Sequence, residues 1–354
     1  MKIINIACAS DDHYFSGMLG TISSLLINTN SDYIYHLYII NGGISASNIR
    51  KLQGILNKID VKSEVIFLTP DLTIFEGLPK FFYKSPLPYA RLLLPDLIDV
   101  EKIIYLDSDL LFFKDISVLW ELDLKGNYSA AALDMSVREL GNEYPDCSVF
   151  SLDPQAPFFN SGVMVLDLNA FRKYQLHRRT LEIRFKYPEF FKYHDQSPLN
   201  VVLYKRNLLI DQEWNLQSHC FNIDTDFEKL CQLSINFHFV TSFKPWIYFN
   251  RSPSNLLYDV LMTALAAVPD NDIYKKSKRR HFLQNNFRQV LPLFFFLRAK
   301  LKFFLQKDLA GQMDNKVAEY WRDSNIKHSF YSVKKNEITE MVERWEKRIK
   351  SKLR

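Results

Sequence analysis

Residues 103–109 read Ile-Ile-Tyr-Leu-Asp-Ser-Asp, a short apolar strand that ends in two carboxylates separated by one residue. Side chains alternate along an extended chain, so Asp107 and Asp109 are expected to point the same way. Two carboxylates held so close repel each other unless a positive charge lies between them. A divalent cation that prefers oxygen ligands, Mn²⁺ or Mg²⁺, meets that requirement. The alternative interpretation is a solvated turn after the strand.

Strand-like and helix-like segments alternate on the N-terminal side of this stretch. Strands are predicted at residues 2–9, 33–40 and 61–68, and helices at residues 17–28 and from a cap at Ser45 to Ile59. The alternation predicts an α/β fold with a mostly parallel sheet and helices on both faces. Ligands of such sheets bind beyond the carboxyl ends of the strands, so residues 11–14 and 107–109 are expected at one crevice. No GxGxxG pattern follows the first strand, which argues against an NAD or FAD enzyme.

The C-terminal quarter differs in character from the rest. Further strands are predicted at residues 102–106, 129–133, 161–168 and 233–240, but strand signals fade beyond about residue 270. Residues 271–354 hold 21 Lys and Arg against 9 Asp and Glu, a net charge of +12 that leaves −7 on the remainder. We therefore predict a catalytic domain over residues 1–265 and a basic, aromatic-rich, mainly helical extension over residues 266–354.

An acidic body with a basic tail predicts that the tail meets an anionic surface, either a membrane or nucleic acid. Five cations, Lys275, Lys276, Lys278, Arg279 and Arg280, precede an aromatic and aliphatic stretch with interspersed Arg and Lys. This pattern favours a helix lying in a membrane interface, and no nucleic-acid partner is expected. The alternative is that the aromatic side chains pack on the catalytic domain.

Three observations point to the cytoplasmic side of a membrane. The N-terminal apolar run is too short for a signal peptide, and no run approaches the roughly 20 apolar residues of a membrane span. The four cysteines lack a CxxC pair or zinc spacing and are interpreted as free thiols in a reducing compartment. We expect a cytoplasmic protein that is peripheral on the inner membrane.

Further polar residues are candidates for ligand binding. His238 lies six residues before the Lys244-Pro-Trp turn. An imidazole beside two carboxylates would complete a Mn²⁺ site, and a lysine could hold a diphosphate as a point charge. The alternative for His238 is a hydrogen-bonded core residue. Asp195-Gln196 precedes an apolar helix pattern, where the carboxylate and amide either grip sugar hydroxyls or simply cap the helix.

Two weaker candidates are Asn160, at the start of a predicted strand, and Arg91, within Tyr-Ala-Arg-Leu at residues 89–92. Their alternatives are a turn residue and a surface cation.

Taken in order, these features resemble the family 8 glycosyltransferases over residues 3–246. The matching segments are Ala-Ser-Asp-Asp-His-Tyr at 9–14, Tyr-Ala-Arg-Leu at 89–92, Tyr-Leu-Asp-Ser-Asp at 105–109, Phe-Asn-Ser-Gly-Val at 159–163, Asp195-Gln196, and His238 with Lys-Pro-Trp at 244–246. The resemblance implies a GT-A fold, a single Rossmann-like α/β domain. It implies a retaining hexosyltransferase that moves galactose or glucose from a UDP-sugar to a glycolipid or oligosaccharide acceptor. Lipopolysaccharide or lipooligosaccharide core is the expected acceptor.

The resemblance also implies residue roles. Asp107, Asp109 and His238 correspond to ligands of Mn²⁺, or of Mg²⁺. Residues that correspond to donor-binding positions are Ala9, Asp11, Tyr14, Arg91, Asp107, Ser108 and Lys244. Asn160, Asp195 and Gln196 correspond to catalytic residues around the transferred hexose. One departure is Thr241, where the family usually has glycine, so the phosphate contacts are expected to differ.

Two questions stay open at the level of sequence, one about the mechanism of transfer and one about the activity itself. Asp195 is the better nucleophile in principle, but we favour attack on the face that the leaving group vacates, with Gln196 stabilising positive charge. The alternative activity is a metal-dependent nucleotidyltransferase, which also uses paired aspartates, although its usual glycine-rich nucleotide signature is absent from this sequence.

Overall fold

The computed structural model describes residues 2–29, 32–79, 85–241, 244–247, 253–266 and 335–353. The strands are β1 (Ile3–Ser10), β2 (Ile34–Asn41), β3 (Ser63–Leu68), β4 (Lys102–Leu106), β5 (Leu110–Leu111), β6 (Ser129–Leu133), β7 (Phe159–Asp167), β8 (Asn207–Ile210), β9 (Leu216–Gln217) and β10 (Phe237–His238). The α-helices are α1 (Phe15–Ile27), α2 (Ala46–Leu56), α3 (Leu94–Leu97), α4 (Ser117–Trp120), α5 (Leu140–Glu143), α6 (Leu168–Lys173), α7 (Leu176–Lys186), α8 (Gln196–Val202), α9 (Ile223–Cys231), α10 (Pro253–Ala266) and α11 (Lys335–Lys352).

Seven strands form the main sheet in the order β3-β2-β1-β4-β7-β6-β8. Strands β3, β2, β1 and β4 are parallel, β7 is antiparallel to both β4 and β6, and β8 is parallel to β6. Six strands therefore run one way, which confirms the predicted mostly parallel α/β sheet. Because β7 runs the other way, its amino end lies beside the carboxyl ends of β4 and β6.

Helix α1 holds the segment that follows β4 in place. Twelve of its thirteen residues are buried, as expected for a helix with small or apolar residues on every side. Its buried hydroxyls bond to the backbone of the β5 region: Thr21 Oγ1 donates to Leu110 O at 3.1 Å, and Ser24 Oγ accepts from Phe112 N at 3.0 Å. These bonds satisfy backbone groups that would otherwise be buried without partners.

A small sheet, in the order β5-β10-β9, brings the chain back to the end of β4. Its register pairs His238 with Leu110 on one side and with Gln217 on the other. The strand predicted at residues 233–240 is wrong in length, since only two of its residues join the ladder. Leu233 has φ +53°, in the left-handed region where the chain turns after α9, so extended backbone begins only later.

Several local predictions are confirmed. Strands β4 and β6 have the predicted bounds, and β1 and β2 agree with prediction to within one residue at each end. Ser45 caps α2 by accepting a hydrogen bond from Asn48 N at 3.4 Å. All four cysteines, each in the described part of the chain, are free.

The chain divides into two compact units. The first comprises Met1–Lys244 with Arg348–Arg354, where Arg348 donates to Asn28 Oδ1 at 2.6 Å. The second comprises Pro245–Lys347, in which the buried Trp345 donates to Leu257 O at 3.1 Å.

The predicted boundary at 265/266 stays a prediction, because the basic aromatic tail from Lys275 onward lies outside the described residues until α11 begins. Within the described ranges, no helix combines the length and apolar character that a membrane crossing requires.

Candidate active site

A cleft of about 490 Å³ opens in the first unit, beyond the carboxyl ends of β1, β4 and β6 and the amino end of β7. It collects side chains from segments that are more than 200 residues apart in sequence. Every predicted site residue lines it: Ala9, Asp11, Tyr14, Arg91, Asp107, Ser108, Asp109, Asn160, Asp195, Gln196, His238 and Lys244. Asp11, Tyr14 and residues 107–109 therefore share one crevice, as the strand-end argument predicted.

Asp107, Asp109 and His238 form a group whose potential ligand atoms all lie within 4.8 Å of one another. His238 Nε2 is 3.1 Å from Asp109 Oδ1 and 3.6 Å from Asp107 Oδ2. Gly162 makes room for this group, since a Cβ at that position would collide with the His238 ring and approach Asp107 Oδ2 to 3.0 Å. The two carboxylates suit Mn²⁺ or Mg²⁺, and the imidazole favours Mn²⁺ of these two, so the residues fit such an ion.

A chain of amides fixes the tautomer of His238. Its Nδ1 lies 2.9 Å from Asn215 Oδ1, and Asn215 Nδ2 donates to Asn160 Oδ1 at 2.8 Å. Asn160 Oδ1 also accepts from Gly162 N at 3.0 Å, which identifies that atom as the oxygen. Because Asn215 Oδ1 can only accept, His238 Nδ1 carries a proton and donates to it, and Nε2 is the ring nitrogen that is available to a metal ion beside the aspartates.

Asp109 is buried and has both carboxylate oxygens engaged. His238 Nε2 faces Oδ1, and Lys244 Nζ lies 2.5 Å from Oδ2 while also donating to Phe239 O. Burial alone would raise the pKa of this carboxyl, but the charges of Lys244 and His238 outweigh it and hold the pKa well below its ordinary value. Asp109 therefore stays ionised at any physiological pH.

Arg91 joins the two carboxylate clusters of the cleft. Its NH2 lies 2.7 Å from Asp107 Oδ1 and its Nε lies 2.7 Å from Asp195 Oδ2. The guanidinium is 4% exposed, stacks 4.1 Å from the centre of the Tyr105 ring and donates to Ser161 O. The surface-cation interpretation of Arg91 is therefore wrong, since this side chain is a buried bridge.

Asp195 occupies the N-cap position of α8, but its carboxylate pairs with Arg91 and does not cap the helix. Burial raises the pKa of Asp195 to about 6, against the opposing charge of Arg91 and with the help of the negative charge on Asp107. The interpretation as a simple helix cap is wrong.

Gln196 and Asn160 are held by a residue that the sequence analysis missed. Asp134 Oδ2 accepts from Asn160 Nδ2 at 3.0 Å and from Gln196 Nε2 at 3.1 Å. Gln196 Oε1 accepts from Ser161 N at 3.0 Å. Asp134 follows β6 directly, so the strand-end rule that selected Asp107 would have found it. Asn215, His219 and Gln217 also lie in or beside the cleft, and no local sequence pattern distinguishes them.

Another part of the cleft is formed by residues at and after the end of β1. Asp11 Oδ1 accepts from His13 N and Tyr14 N, both at 3.0 Å, and so shapes its own turn. Ser108 Oγ donates to Ala9 O at 2.5 Å, which ties the β1 end to the β4 end. Lys244 Nζ lies 5.7 Å from the centre of the Tyr14 ring. Contact of these residues with a nucleotide stays a prediction.

Comparisons with known proteins agree with this geometry. General stress protein A of Bacillus subtilis is 30% identical over 223 residues, which are 62% of this chain and 75% of that protein. The lipopolysaccharide 1,2-glucosyltransferase of Escherichia coli is 26% identical over 272 residues, 74% of this chain and 78% of that protein. The galactosyltransferase LgtC, solved with donor and acceptor sugar analogs, matches with a TM-score of 0.61 at 20% identity, over 77% of this chain and 100% of that one.

The structural likeness to LgtC confirms the GT-A type of fold. The sequence profile described as Glycosyl transferase family 8 matches residues 5–249, which is more than half of the chain. The protein therefore belongs to glycosyl transferase family 8 and is a glycosyltransferase.

Proposed function

We propose that this protein is a retaining hexosyltransferase that uses a divalent metal, Mn²⁺ by preference, to move galactose or glucose from a UDP-sugar to a sugar acceptor. One observation carries the proposal. Arg91 pairs both with Asp107, a candidate metal ligand, and with Asp195, so one buried side chain joins the candidate leaving-group site to the candidate hexose site.

A divalent ion held by Asp107, Asp109 and His238 would act as a Lewis acid that neutralises the negative charge developing on the departing diphosphate. Lys244 adds a second positive charge on the same side of the cleft. As a buried ammonium it can stabilise a diphosphate more strongly than a lysine in water could, because few water molecules screen it.

Retention of the anomeric configuration constrains the roles of Asp195 and Gln196. The Asp195 carboxylate is already paired with Arg91 at 2.7 Å, which makes it a poor nucleophile and a good fixed acceptor for a sugar hydroxyl. Gln196 Oε1 accepts hydrogen bonds from Ser161 N at 3.0 Å and from Ser161 Oγ at 3.4 Å, so Ser161 holds this electron-rich oxygen in place in the lining of the cleft. This arrangement favours attack on the face that the leaving group vacates, with Gln196 stabilising positive charge at the anomeric carbon.

Acceptor and location are proposed by analogy. The Escherichia coli relative is named for transfer onto lipopolysaccharide, so we propose lipopolysaccharide or lipooligosaccharide core as the acceptor. An acceptor anchored in a membrane would make the basic tail useful, and we propose peripheral attachment to the cytoplasmic face of the inner membrane. The family assignment argues against the nucleotidyltransferase alternative.

The direct test is incubation with a panel of UDP-sugars and core oligosaccharides in Mn²⁺, followed by mass spectrometry of the products. We expect a gain of one hexose on an acceptor from UDP-galactose or UDP-glucose, with UDP as the second product. Release of inorganic diphosphate, or transfer unchanged in EDTA, would contradict the proposal.

A further inference from the structure

Glu143, the last residue of α5, is a buried carboxylate outside the cleft. It is 1% exposed and lies in the segment that connects β6 to β7. Its Oε1 accepts from Lys192 N at 2.9 Å and from Ser197 Oγ at 2.5 Å. Its Oε2 has no hydrogen-bond partner among the residues that the structure describes.

The two residues that Glu143 holds bracket a four-residue segment, 193–196, and all four of its side chains line the cleft. Ser197 tightens this bracket because its Oγ also accepts from Tyr193 N at 3.0 Å. Tyr144 OH donates to Ser197 O at 2.6 Å from the same helix end. One carboxylate oxygen therefore fixes both ends of the segment that carries Asp195 and Gln196.

A buried carboxylate costs free energy that an apolar side chain at the same position would not cost. Burial raises the pKa of Glu143, which shows that the surroundings disfavour its charge. Replacement of a buried ionic group by an apolar one of similar volume is often neutral for stability, so packing alone does not require an acid here. An apolar side chain cannot supply the acceptor oxygen that Lys192 N and Ser197 Oγ share.

We propose that Glu143 is a positioning residue for hexosyl transfer, which acts by clamping residues 193–196 against the donor sugar. This inference rests on the proposed function for its kinetic consequence. Asp195 and Gln196 lie on the clamped segment, whereas the candidate metal and nucleotide residues lie on other segments, which are the ends of β1 and β4, strand β10, and the positions of Arg91 and Lys244. Loss of the clamp should therefore slow transfer and leave UDP binding intact. A displacement of about 1 Å at a reacting centre costs on the order of 100-fold in rate.

The test compares Glu143→Leu, which removes the acceptor, with Glu143→Gln, which keeps an oxygen for both donors. Glu139→Leu is the matched control, because Glu139 is an exposed glutamate beside the same helix. In the full chain we expect Glu143→Leu to lower kcat by at least about 10-fold, while Glu143→Gln stays within about threefold of the wild type. UDP affinity, measured by calorimetry with Mn²⁺, should change less than about twofold in both variants.

A second readout does not depend on catalysis. Amide hydrogen exchange at residues 192–197 should accelerate in Glu143→Leu and stay slow in Glu143→Gln and Glu139→Leu. Ser197→Ala, which removes one bond of the clamp and little volume, should accelerate exchange at Tyr193 and gives the same test if Glu143→Leu does not fold.

Wild-type kcat and wild-type exchange in Glu143→Leu would overturn the inference, as would equal damage from Glu143→Gln. If the wild type transfers no hexose, the proposed function fails, and the exchange measurement still decides whether Glu143 holds the segment.

Discussion

The ammonium of Lys244 lies 2.5 Å from Oδ2 of Asp109, a residue that also belongs to the candidate metal group. Both side chains are buried, and Lys244 is 4% exposed. In the proposed function, Lys244 competes with the divalent cation for this carboxylate and also binds the diphosphate. We therefore expect Lys244 to weaken the binding of metal alone and to strengthen the binding of nucleotide.

Lys244→Met should separate those contributions. Affinity for Mn²⁺ alone should rise or stay unchanged, because a competing cation is removed from Asp109. Affinity for UDP in the presence of Mn²⁺ should fall by about 10-fold or more, since a charge-assisted contact worth about 1.5–3 kcal/mol is lost. Electron paramagnetic resonance measures free Mn²⁺, and calorimetry measures UDP binding. Lys205→Met, at an exposed lysine outside the cleft, is the control. Weaker Mn²⁺ binding in Lys244→Met would contradict this account.

Gly162→Ala should disable the metal group. The added Cβ would collide with the ring of His238, and this ring cannot retreat without losing its bond to Asn215. We expect loss of Mn²⁺ binding and a fall in kcat of about 100-fold or more. Gly54→Ala is the matched control, because a Cβ there, within α2, meets nothing within 4 Å and should be neutral or slightly stabilising. Mn²⁺ affinity of Gly162→Ala equal to that of Gly54→Ala would refute the steric argument.

His194 predicts a dependence of stability on pH. Burial, with the nearby charges of Arg184 and Arg91, lowers its pKa to about 4 from an ordinary 6.5. A group with a depressed pKa in the folded state binds its proton more readily when unfolded. Its stabilising contribution is therefore complete above pH 6.5 and is lost as pH falls toward 4, by up to about 3 kcal/mol.

Urea unfolding at pH 7.0 and 4.5 tests this expectation. His194→Phe removes the titrating group and keeps an aromatic ring beside Tyr89, whose ring centroid lies 5.7 Å away. The variant should lose clearly less stability than the wild type between the two pH values. Equal losses in both proteins would show that His194 is not responsible.

The basic tail predicts binding to anionic membranes. Replacing Lys275, Lys276, Lys278, Arg279 and Arg280 by glutamine should lower partitioning onto anionic vesicles by more than about 10-fold, since each cation contributes about 1 kcal/mol. These residues lie outside the described ranges. Substitution is a cleaner test than truncation, because removal of the C-terminal residues would also remove Arg348, which bonds to Asn28. Co-sedimentation that does not depend on lipid charge or on salt concentration would exclude electrostatic membrane binding by the tail.

Some parts of the fold and of the site could be predicted because the local sequence pattern alone determines them. Strand β4 is apolar and short, and the carboxylates after it alternate, so the position of Asp107 and Asp109 follows from the sequence. The resemblance to family 8 added His238 and Arg91, which local pattern alone left open. Asp134 was equally predictable from its place after β6.

The remaining features depend on topology. Strand β7 runs against its neighbours, so Asn160 enters the cleft from the start of a strand, which no rule about carboxyl ends predicts. Asn215 and Glu143 act through contacts with residues 23 and more positions away, and nothing in their own surroundings distinguishes them from ordinary polar residues. The strand predicted at residues 233–240 is too long because most residues of this run are apolar, whereas only Phe237 and His238 pair in the ladder.

The most direct test of the central claim is the proton NMR signal of the new anomeric centre, recorded after incubation with an α-linked UDP-hexose and a core acceptor in Mn²⁺. Metal-assisted retaining transfer predicts an α-linked product that forms with Mn²⁺ and fails to form in EDTA. A β-linked product, or an α-linked product formed at full rate in EDTA, would contradict the account.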